Sequence, residues 1–372
     1  MKIKPTKHLI CLIVILSACC GVIKANTYNI IDLGTLGGAK SHATSINSQG
    51  EVIGYALPES ASLCHAVYFD TTGSANNTDL TKTSVYNCGA AMSINNSGQI
   101  VGYDGTTDTA KHATLFNKAN PNNNLDLGTL GGTEGSANNI SNTGVIVGWS
   151  NPAGNYDQRA TRFDPTGNGN NIDLGTLSGF SESQARAVNS YNQIVGHAGR
   201  AADNMRAVLF DTTGNGNNID LKALGGQNGQ ATYINENGSI VGLSETQSHF
   251  LHATLFDPTG SGNNTDLGTL GGTMSDAQCI NNIGQIIGYS YTADGNTHAF
   301  LYENGSMFDL NTLISSSNWT LTHAFSINDN GWIVGYGINP DGNEHAFLLV
   351  PEPATILLLT LGGLLLRKRS KE

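Results

Sequence analysis

Histidines that recur in register are the first residues of this 372-residue chain that could do chemistry. Seven copies of a His-Ala or Arg-Ala pair stand 46 or 47 residues apart, beginning at His65, His112, Arg159, Arg206, His252, His298 and His345. A catalytic or metal-binding histidine normally occurs at one position of a protein and is not repeated in every unit. A histidine that arginine can replace is a hydrogen-bond donor. The pattern therefore favours a structural role over a metal site.

Aromatic side chains after a recurring glycine are the best indication of ligand binding. The residue that follows this glycine is aromatic in five of seven copies, namely Tyr55, Tyr103, Trp149, Tyr289 and Tyr336. His197 and Leu243 take the position in the other two copies. Aromatic faces with amides nearby suit the stacking of sugar rings. The alternative is that these side chains pack between neighbouring repeats.

Two loops rich in glycine and asparagine loosely resemble calcium loops. Asp164 and Asp211 each begin a run with oxygen ligands at alternate positions, which is a donor set that Ca²⁺ prefers. No glutamate follows at the twelfth position, so an ordinary hairpin loop is the competing interpretation. We expect no other cofactor.

Three cysteines lie in the body of the chain. Cys64 and Cys88 fall in loops that a four-stranded meander places on the same face, so a disulfide between them is a candidate in an oxidising envelope. Cys279, beside Ile280, is expected to be a small core residue.

No catalytic constellation stands out. The chain has no Ser-His-Asp order, nucleophile elbow or phosphate-cradling loop. Its Thr-Leu-Gly-Gly strings lack the Lys-Ser/Thr of a P-loop. Acids near same-face loops form no recognisable pair; these are Glu59, Glu134, Glu182 and Glu245.

Seven copies of one unit hold these residues. An Asp-Leu pair recurs at intervals of 47, 47, 47, 47, 46 and 43 residues, beginning at Asp32, Asp79, Asp126, Asp173, Asp220, Asp266 and Asp309. An Ile-Asn turn and an apolar pair before glycine recur with nearly the same spacing. Each unit reads as four short strands joined by local turns, which predicts an antiparallel meander. The fourth strand of the unit is expected to carry Asp-Leu-Gly-Thr-Leu.

The period and the number of copies predict a seven-bladed β-propeller of four-stranded antiparallel blades. A fourth-type strand, Tyr28 to Leu33, comes first, and the last unit stops after its third strand, His345 to Val350. The first strand can therefore complete the last blade and remove both open sheet edges. A solenoid rod is the alternative.

The central region, residues 26–350, differs in charge from the two terminal segments. The formal charge is −11, but residues 26–350 hold 10 basic against 27 acidic residues, which is a charge of −17. A body this acidic repels phosphate backbones, so nucleic acid is excluded as a partner.

The N-terminus predicts export. Three lysines precede an apolar run from about Leu9 to Ile23, as in a signal peptide covering residues 1–25. Cleavage after Ala25 is one interpretation. Lipidation of Cys19 is the other, because Leu16 to Cys19 resembles a lipobox.

The C-terminal residues 351–372 combine Pro351, Glu352 and Pro353, an apolar run at 354–366, and the basic residues Arg367, Lys368 and Arg369. This order resembles the PEP-CTERM sorting signal. The resemblance implies an exosortase as a partner, attachment to the membrane through the apolar segment before processing, and release or transfer at the envelope. A plain tail anchor is the alternative.

The repeats themselves resemble the bacterial extracellular HAF-repeat family. The resemblance is carried by Asp-Leu-Gly-Thr-Leu-Gly-Gly at 32–38, 126–132 and 266–272, and by His-Ala-Phe at 298–300 and 345–347. It covers residues 31–349 and implies an extracellular repeat protein without a defined activity. The chain departs from the pattern at Arg159 and Arg206, and residues 80–88 lack the Gly-rich string.

These observations predict an exported, non-catalytic binding or structural protein at the cell surface or in the extracellular matrix. Its expected partner is a polysaccharide or another surface protein. A secreted carbohydrate-active propeller enzyme, either a glycosidase or a lyase, is the alternative.

Overall fold

The computed structural model describes residues 27–59, 63–81, 88–107, 110–199, 205–315 and 318–352. The expected signal peptide, Pro353, the apolar segment 354–366 and the basic residues 367–369 lie outside them. The described chain has 28 strands and two 3-10 helices, Pro121–Asn123 and Leu310–Thr312. The all-β prediction is confirmed.

The strands form four-stranded antiparallel units that follow one another along the chain, here called sheets 1 to 7. A parallel pairing of Lys40 with Glu344 links the first and the last of them into one eight-stranded sheet. Sheet 1 contains β2 (Gly37–Ile46), β3 (Val52–Pro58), β4 (His65–Phe69) and β5 (Thr78–Asp79). Sheet 2 contains β6 (Ala90–Ile94), β7 (Ile100–Thr107), β8 (Ala110–Phe116) and β9 (Leu125–Asp126). Sheet 3 contains β10 (Gly131–Ile140), β11 (Ile146–Pro152), β12 (Arg159–Phe163) and β13 (Ile172–Asp173).

The next three sheets repeat this order. Sheet 4 contains β14 (Ser183–Val188), β15 (Ile194–Ala198), β16 (Arg206–Phe210) and β17 (Ile219–Asp220). Sheet 5 contains β18 (Gly225–Ile234), β19 (Ile240–Thr246), β20 (Leu251–Phe256) and β21 (Thr265–Asp266). Sheet 6 contains β22 (Gly271–Ile280), β23 (Ile286–Thr292), β24 (Thr297–Glu303) and β25 (Ser306–Asp309).

Sheet 7 joins the two ends of the described chain. It contains β26 (Thr320–Ile327), β27 (Ile333–Ile338), β28 (Glu344–Pro351) and β1 (Tyr28–Asp32). β1 pairs antiparallel with β28 from Tyr28 opposite Pro351 to Asp32 opposite Phe347. The first strand of the chain therefore supplies the fourth strand of the last sheet.

The fourth strands are shorter than the Asp-Leu-Gly-Thr-Leu string predicts. In sheet 2 the strand ends at Asp126, whose Oδ1 accepts a hydrogen bond of 2.8 Å from the backbone N–H of Gly128. Gly128 has a φ of +71°, which favours glycine. The chain therefore turns directly after the Asp-Leu pair, and the Gly-Gly that follows opens the next first strand.

The core is divided among apolar clusters that each lie between two consecutive sheets. Between sheets 3 and 4, for example, Val147 and Ala160 pack with Ala185 and Phe210. A cluster of the same kind joins sheet 7 to sheet 1 and includes Val334, Leu348, Ala43, Val52 and Phe69. Successive side chains of a strand point to opposite faces of its sheet. A single strand therefore contributes alternate residues to the apolar clusters on both sides.

A β-bulge recurs in the first strand of each sheet. In sheet 4 the register shifts between Ala185 and Ala187, which leaves Arg186 as the extra residue. The bulge brings the first strand close to the second: a Cβ added to Gly196 would lie 2.0 Å from the carbonyl oxygen of Gln184. The recurring glycine is therefore required by the bulge.

Candidate functional site

A cavity of about 320 Å³ is lined by residues from all seven sheets. Its inner wall is formed by the bulged residues of the first strands, which are Thr44, Met92, Asn138, Arg186, Thr232, Gln278 and Phe325. Its mouth is formed by residues of the turns after these strands, including Ser48, Asn96, Asn142, Glu236, Asn282 and Asp329. The repeated bulge therefore turns one side chain per sheet toward a common space.

The mouth is held by hydrogen bonds that pass from one sheet to the next. The first asparagine of a turn donates through Nδ2 to the backbone oxygen of its counterpart in the following sheet, as in Asn189 to Asn235 (3.1 Å) and Asn235 to Asn281 (2.9 Å). Asn328 of sheet 7 makes the same bond to Asn47 of sheet 1 (3.0 Å). These side-chain amides already donate to backbone oxygens of the protein, so ligand recognition has to come from other side chains.

Arg186 is the basic residue of the cavity wall, and Asp276, which does not itself line the cavity, contacts the lining residue Gln278. Asp276 lies two residues before the bulged Gln278 and is 5% exposed. Its Oδ2 accepts hydrogen bonds from Gln278 Nε2 (2.7 Å) and from the hydroxyl of Tyr289 (3.2 Å). Burial raises the pKa of Asp276 to about 7, against the opposing effect of the Arg186 guanidinium and of these hydrogen bonds. Asp276 is therefore partly protonated at neutral pH.

Several buried polar atoms around this pair have no hydrogen-bond partner within the protein. They are Asp276 Oδ1, His197 Nδ1, Thr232 Oγ1 and His323 Nδ1. Burial, with the Arg186 charge, lowers the pKa of His197 to about 3, and burial lowers that of His323 to about 4. Both imidazoles are neutral at physiological pH. Unpaired buried polar atoms are costly. One of the four, Thr232 Oγ1, belongs to a residue that lines the cavity, and it can bond a polar molecule there.

The predicted aromatic residues occupy equivalent places but only three of them join one cluster. Tyr336 stacks on His42 of the next sheet, with ring centroids 3.7 Å apart, and on His323 of its own sheet at 4.6 Å. Tyr289 lies 4.5 Å from His323, and Tyr55 lies 4.8 Å from His42. This His-Tyr cluster packs sheets 6, 7 and 1 together.

The hydroxyls of the cluster are also used inside the protein. Tyr55 donates to His42 Nδ1 (2.6 Å), and His42 Nε2 donates to Glu344 Oε1 (2.8 Å). Burial raises the pKa of Tyr336 to about 12, with the Glu344 carboxylate adding to the effect. Packing between repeats, the alternative weighed from the sequence, therefore describes the contacts of these side chains.

Tyr103 and Trp149 lie apart from that cluster. The Lys111 ammonium lies 4.7 Å from the centroid of the Tyr103 ring. Trp149 is partly buried and stands opposite Ser136 on β10. The five aromatic residues therefore share a register position without forming one continuous stacking surface, and sugar stacking on them stays a prediction.

The recurring histidines pair with the recurring aspartates. The distances from His Nδ1 to the nearest Asp oxygen are 2.7 Å for His65–Asp79, His112–Asp126 and His298–Asp309, 2.9 Å for His252–Asp266 and 3.0 Å for His345–Asp32. Arg159 makes the equivalent contact with Asp173 at 3.2 Å. The prediction of a structural donor is confirmed at these positions.

The two calcium candidates are hairpin loops whose carboxylates accept bonds from their own loop. Asp164 Oδ1 accepts from the N–H and the hydroxyl of Thr166, and Oδ2 from Asn170. Asp211 does the same with Thr213 and Asn217. Within the described residues, no three His, Cys, Asp or Glu side chains are grouped to hold a metal ion. Calcium at Asp164 or Asp211 stays a prediction.

The cysteine candidates lie on neighbouring segments. Cys64 and Cys88 are free thiols, and the N–H of Gly89 donates to the Cys64 carbonyl oxygen (2.9 Å). Their loops therefore meet on one face, while the disulfide itself stays a prediction. Cys279 is 1% exposed and belongs to the core, as the sequence predicts.

The expected sorting motif begins at the edge of sheet 7. Pro351 ends β28, and Glu352 Oε2 accepts a hydrogen bond of 2.8 Å from the Thr27 hydroxyl. The two ends of the described chain therefore leave the fold side by side. Across the described ranges, no helix has both the length and the apolar character that crossing a membrane requires.

Comparisons with known proteins identify no relative by sequence: no family model matches, and no curated protein matches. Among solved structures, the chain is similar to the Trypanosoma rangeli sialidase in complex with 2,3-difluorosialic acid, at a TM-score of 0.41 and 11% identity, covering 87% of this chain and 56% of that one. A second complex of that sialidase, with 2,3-difluoro-KDN, gives a TM-score of 0.39 and 13% identity over 83% and 53% of the two chains. The chain thus spans about half the length of these proteins.

Arg186 and Asp276 were not among the residues singled out from the sequence. When the repeats are superposed, Arg186 occupies the column of Thr44, Met92, Asn138, Thr232, Gln278 and Phe325 and is the only charged residue in it. A lone charged residue at a repeat position that is otherwise uncharged is the sequence signal that identifies Arg186.

Proposed function

We propose that the seven sheets are the blades of a closed β-propeller. The support is that two recurring contacts between neighbouring sheets also join sheet 7 to sheet 1. These are the apolar cluster of Val334 and Ala43 and the amide bond from Asn328 to Asn47. A parallel bridge between Glu344 and Lys40 joins the same two sheets in addition. A solenoid rod would leave its first and last units apart.

The propeller is an exported, non-catalytic binding module that takes carbohydrate in its central cavity. One observation carries this proposal: a cavity of about 320 Å³ whose wall mixes a guanidinium, amides and the unpaired hydroxyl of Thr232 with apolar side chains. This volume is near the lower end of small-ligand pockets. A sugar offers hydroxyls to the polar groups and C–H faces to Met92 and Phe325.

The place of action is the cell envelope or the extracellular surface. The support is in the sequence, from the N-terminal export signal and the Pro-Glu-Pro, apolar and basic segments of the C-terminus. An exosortase-type enzyme is the proposed processing partner, and the apolar segment holds the protein at the membrane until then.

A glycan array of the purified protein tests the binding function, with Arg186→Gln as the variant. We expect selective binding of a glycan class by the parent protein and loss of that binding in the variant. Arg162→Gln, which removes an arginine outside the cavity, is the matched control and should keep the profile. A blank array for the parent protein would contradict carbohydrate binding.

An enzyme is the second candidate, because the buried carboxyl of Asp276, which is hydrogen-bonded to the lining residue Gln278, has a pKa of about 7, the range that suits a general acid at neutral pH. Incubating the bound polysaccharide with the parent protein and with Asp276→Asn separates the two functions. New reducing or unsaturated ends that disappear in the variant would show that the protein is a glycosidase or lyase.

A further inference from the structure

Arg186 is a cation without a close counter-ion. It is the only basic residue that lines the cavity within the described chain. No hydrogen bond or ion pair holds its guanidinium among the described residues; its nearest acidic influence is the longer-range attraction of Asp276 and Tyr289. Desolvation lowers the pKa of Arg186, yet guanidinium stays charged in proteins. A partly exposed guanidinium that faces a cavity without a close counter-ion favours an anion beside it.

The groups around Arg186 are neutral donors and acceptors. His197 and Thr232, which are 5% and 8% exposed, each present an unpartnered side-chain atom, and the imidazole of His197 is close enough for the Arg186 charge to lower its pKa. These residues come from sheets 4 and 5. His197 belongs to the same blade as Arg186, and Thr232 belongs to the next blade and lines the cavity with Arg186. A single fixed charge beside a neutral hydroxyl suits an anion that also carries hydrogen-bonding groups.

We propose that Arg186 binds the carboxylate of an acidic sugar, so that the ligand of the cavity is a uronic-acid unit of a polysaccharide. The proposal rests on the carbohydrate-binding function above and names its substrate class. Arg186 supplies two parallel N–H donors to the carboxylate, a geometry that lysine cannot reproduce. Thr232, a lining residue of the next blade, offers its unpartnered hydroxyl to the same sugar.

Acidic groups at the mouth repel an anionic ligand. The proposal therefore predicts that neutralising one of them changes the affinity for an acidic sugar. Glu236 and Asp329 lie in the turns that form the mouth. Their charges weaken the approach of a carboxylate at low salt and are screened at moderate salt. Neutralising Glu236 should therefore strengthen the binding of an acidic sugar and leave a neutral sugar unaffected.

The pH dependence has a definite sign. Ionised Asp276 competes with the ligand for the positive field of Arg186, while protonated Asp276 does not. Affinity should therefore fall as pH rises through about 7, the pKa of Asp276. The other titratable groups facing this region are Tyr289, His197, His323, His42 and Glu344; burial keeps both His197 and His323 neutral above pH 5, with pKa values of about 3 and about 4.

The test is calorimetric titration of the purified protein with glucuronate and galacturonate, against glucose and galactose, at pH 6 and pH 8. We expect the uronates to bind and the neutral sugars to bind at least roughly tenfold more weakly. Arg186→Gln and Arg186→Lys should lose the uronate preference, and Arg162→Gln should keep it. Between pH 6 and pH 8 the uronate affinity should fall roughly three- to tenfold, and Asp276→Asn should remove this fall.

The outcomes separate the two proposals. Equal binding of neutral and acidic sugars, or uronate binding unchanged in Arg186→Gln, overturns the carboxylate proposal and leaves carbohydrate binding standing. Acetate that binds as tightly as glucuronate shows a small-anion site, which contradicts the carbohydrate function and keeps the role of Arg186. No uronate binding at either pH overturns the carboxylate proposal, and the glycan array then decides the function. Circular dichroism of each variant confirms that it is folded.

Discussion

Asp276 shows how strongly a position in this fold changes the chemistry of a side chain. The six equivalent first-strand residues are His42, Ala90, Ser136, Gln184, Gln230 and His323, all of which can be buried without a negative charge. A carboxylate at this place loses its hydration and keeps one oxygen without a partner. Its pKa therefore rises from 3.8 to about 7.

This rise predicts how stability depends on pH. A carboxyl whose pKa is higher in the folded than in the unfolded state binds more protons when folded, so stability falls as pH increases from about 4 to about 7. Replacing Asp276 with Asn should remove this fall, since one pKa unit corresponds to about 1.4 kcal/mol. We expect the variant to gain a few kcal/mol over the parent at pH 8 and little at pH 4.

Urea unfolding of the parent and of Asp276→Asn across this pH range measures the effect. Asp164→Asn is the control, because Asp164 is an exposed loop residue whose pKa is lowered by hydrogen bonds from Thr166. A pH profile that is the same in Asp276→Asn as in the parent would show that this carboxyl does not titrate near neutrality.

At the scale of elements, the β-bulge of the first strand links the fold to the site. The bulge places a side chain in the cavity, and it requires glycine at the facing position of the second strand. A Cβ added to Gly288 would lie 1.9 Å from the carbonyl oxygen of Asp276. The recurring glycine that the sequence displays is therefore a consequence of backbone contact.

We predict that Gly288→Ala destabilises the protein by about 1–3 kcal/mol, the usual effect of overpacking, and displaces Asp276. Thermal unfolding monitored by circular dichroism measures the loss. Gly229→Ala is the matched control, since the nearest atom to an added Cβ there is Ser244 Cβ at 3.3 Å, followed by Ala207 Cβ and Leu243 O at 3.6 Å. If the two variants unfold at the same temperature, the close contact at Gly288 does not constrain the strand.

The sequence predicted four strands per unit correctly, yet it extended the fourth strand too far. The Asp-Leu-Gly-Thr-Leu string looks like a strand because it is apolar and recurrent. In the structure the aspartate oxygen captures the N–H two residues later and ends the strand, as in Asp266 with Gly268 (2.8 Å). A local hydrogen bond of this kind competes with the sheet ladder.

At the scale of the whole molecule, the first and last strands act together. β1 buries Tyr28 against sheets 6 and 7, and Asp32 supplies the carboxylate for His345, a contact that other sheets make internally. Without β1, the edge of β28 would be unpaired and open to association with other chains.

Removing residues 27–33 should therefore prevent stable folding. The deletion takes away Tyr28 and Leu33, which are 1% and 0% exposed. Losses of this size cost about 2–5 kcal/mol each, against a typical total stability of about 5–15 kcal/mol. Thr27→Val, which loses only the bond to Glu352 and about 1 kcal/mol, is the control.

Size-exclusion chromatography and thermal unfolding of the proteins expressed without the export signal measure the result. We expect aggregation or a loss of the cooperative transition in the deletion variant. A monomer that melts at the temperature of Thr27→Val would contradict closure through β1.

The sequence by itself determined the repeat, its strands, its acidic surface and its expected address signals. Such features depend on period, composition and neighbouring residues. It also identified the recurring histidines as structural donors, because arginine could replace them. What only the tertiary structure decided was the neighbourhood of each residue. It places Tyr336 between histidines of two sheets, and it brings Arg186 close enough to Asp276, 90 residues away along the chain, for each charge to affect the pKa of the other. Burial and charge act through space, so their effect on a pKa or a ligand appears only when distant segments are brought together.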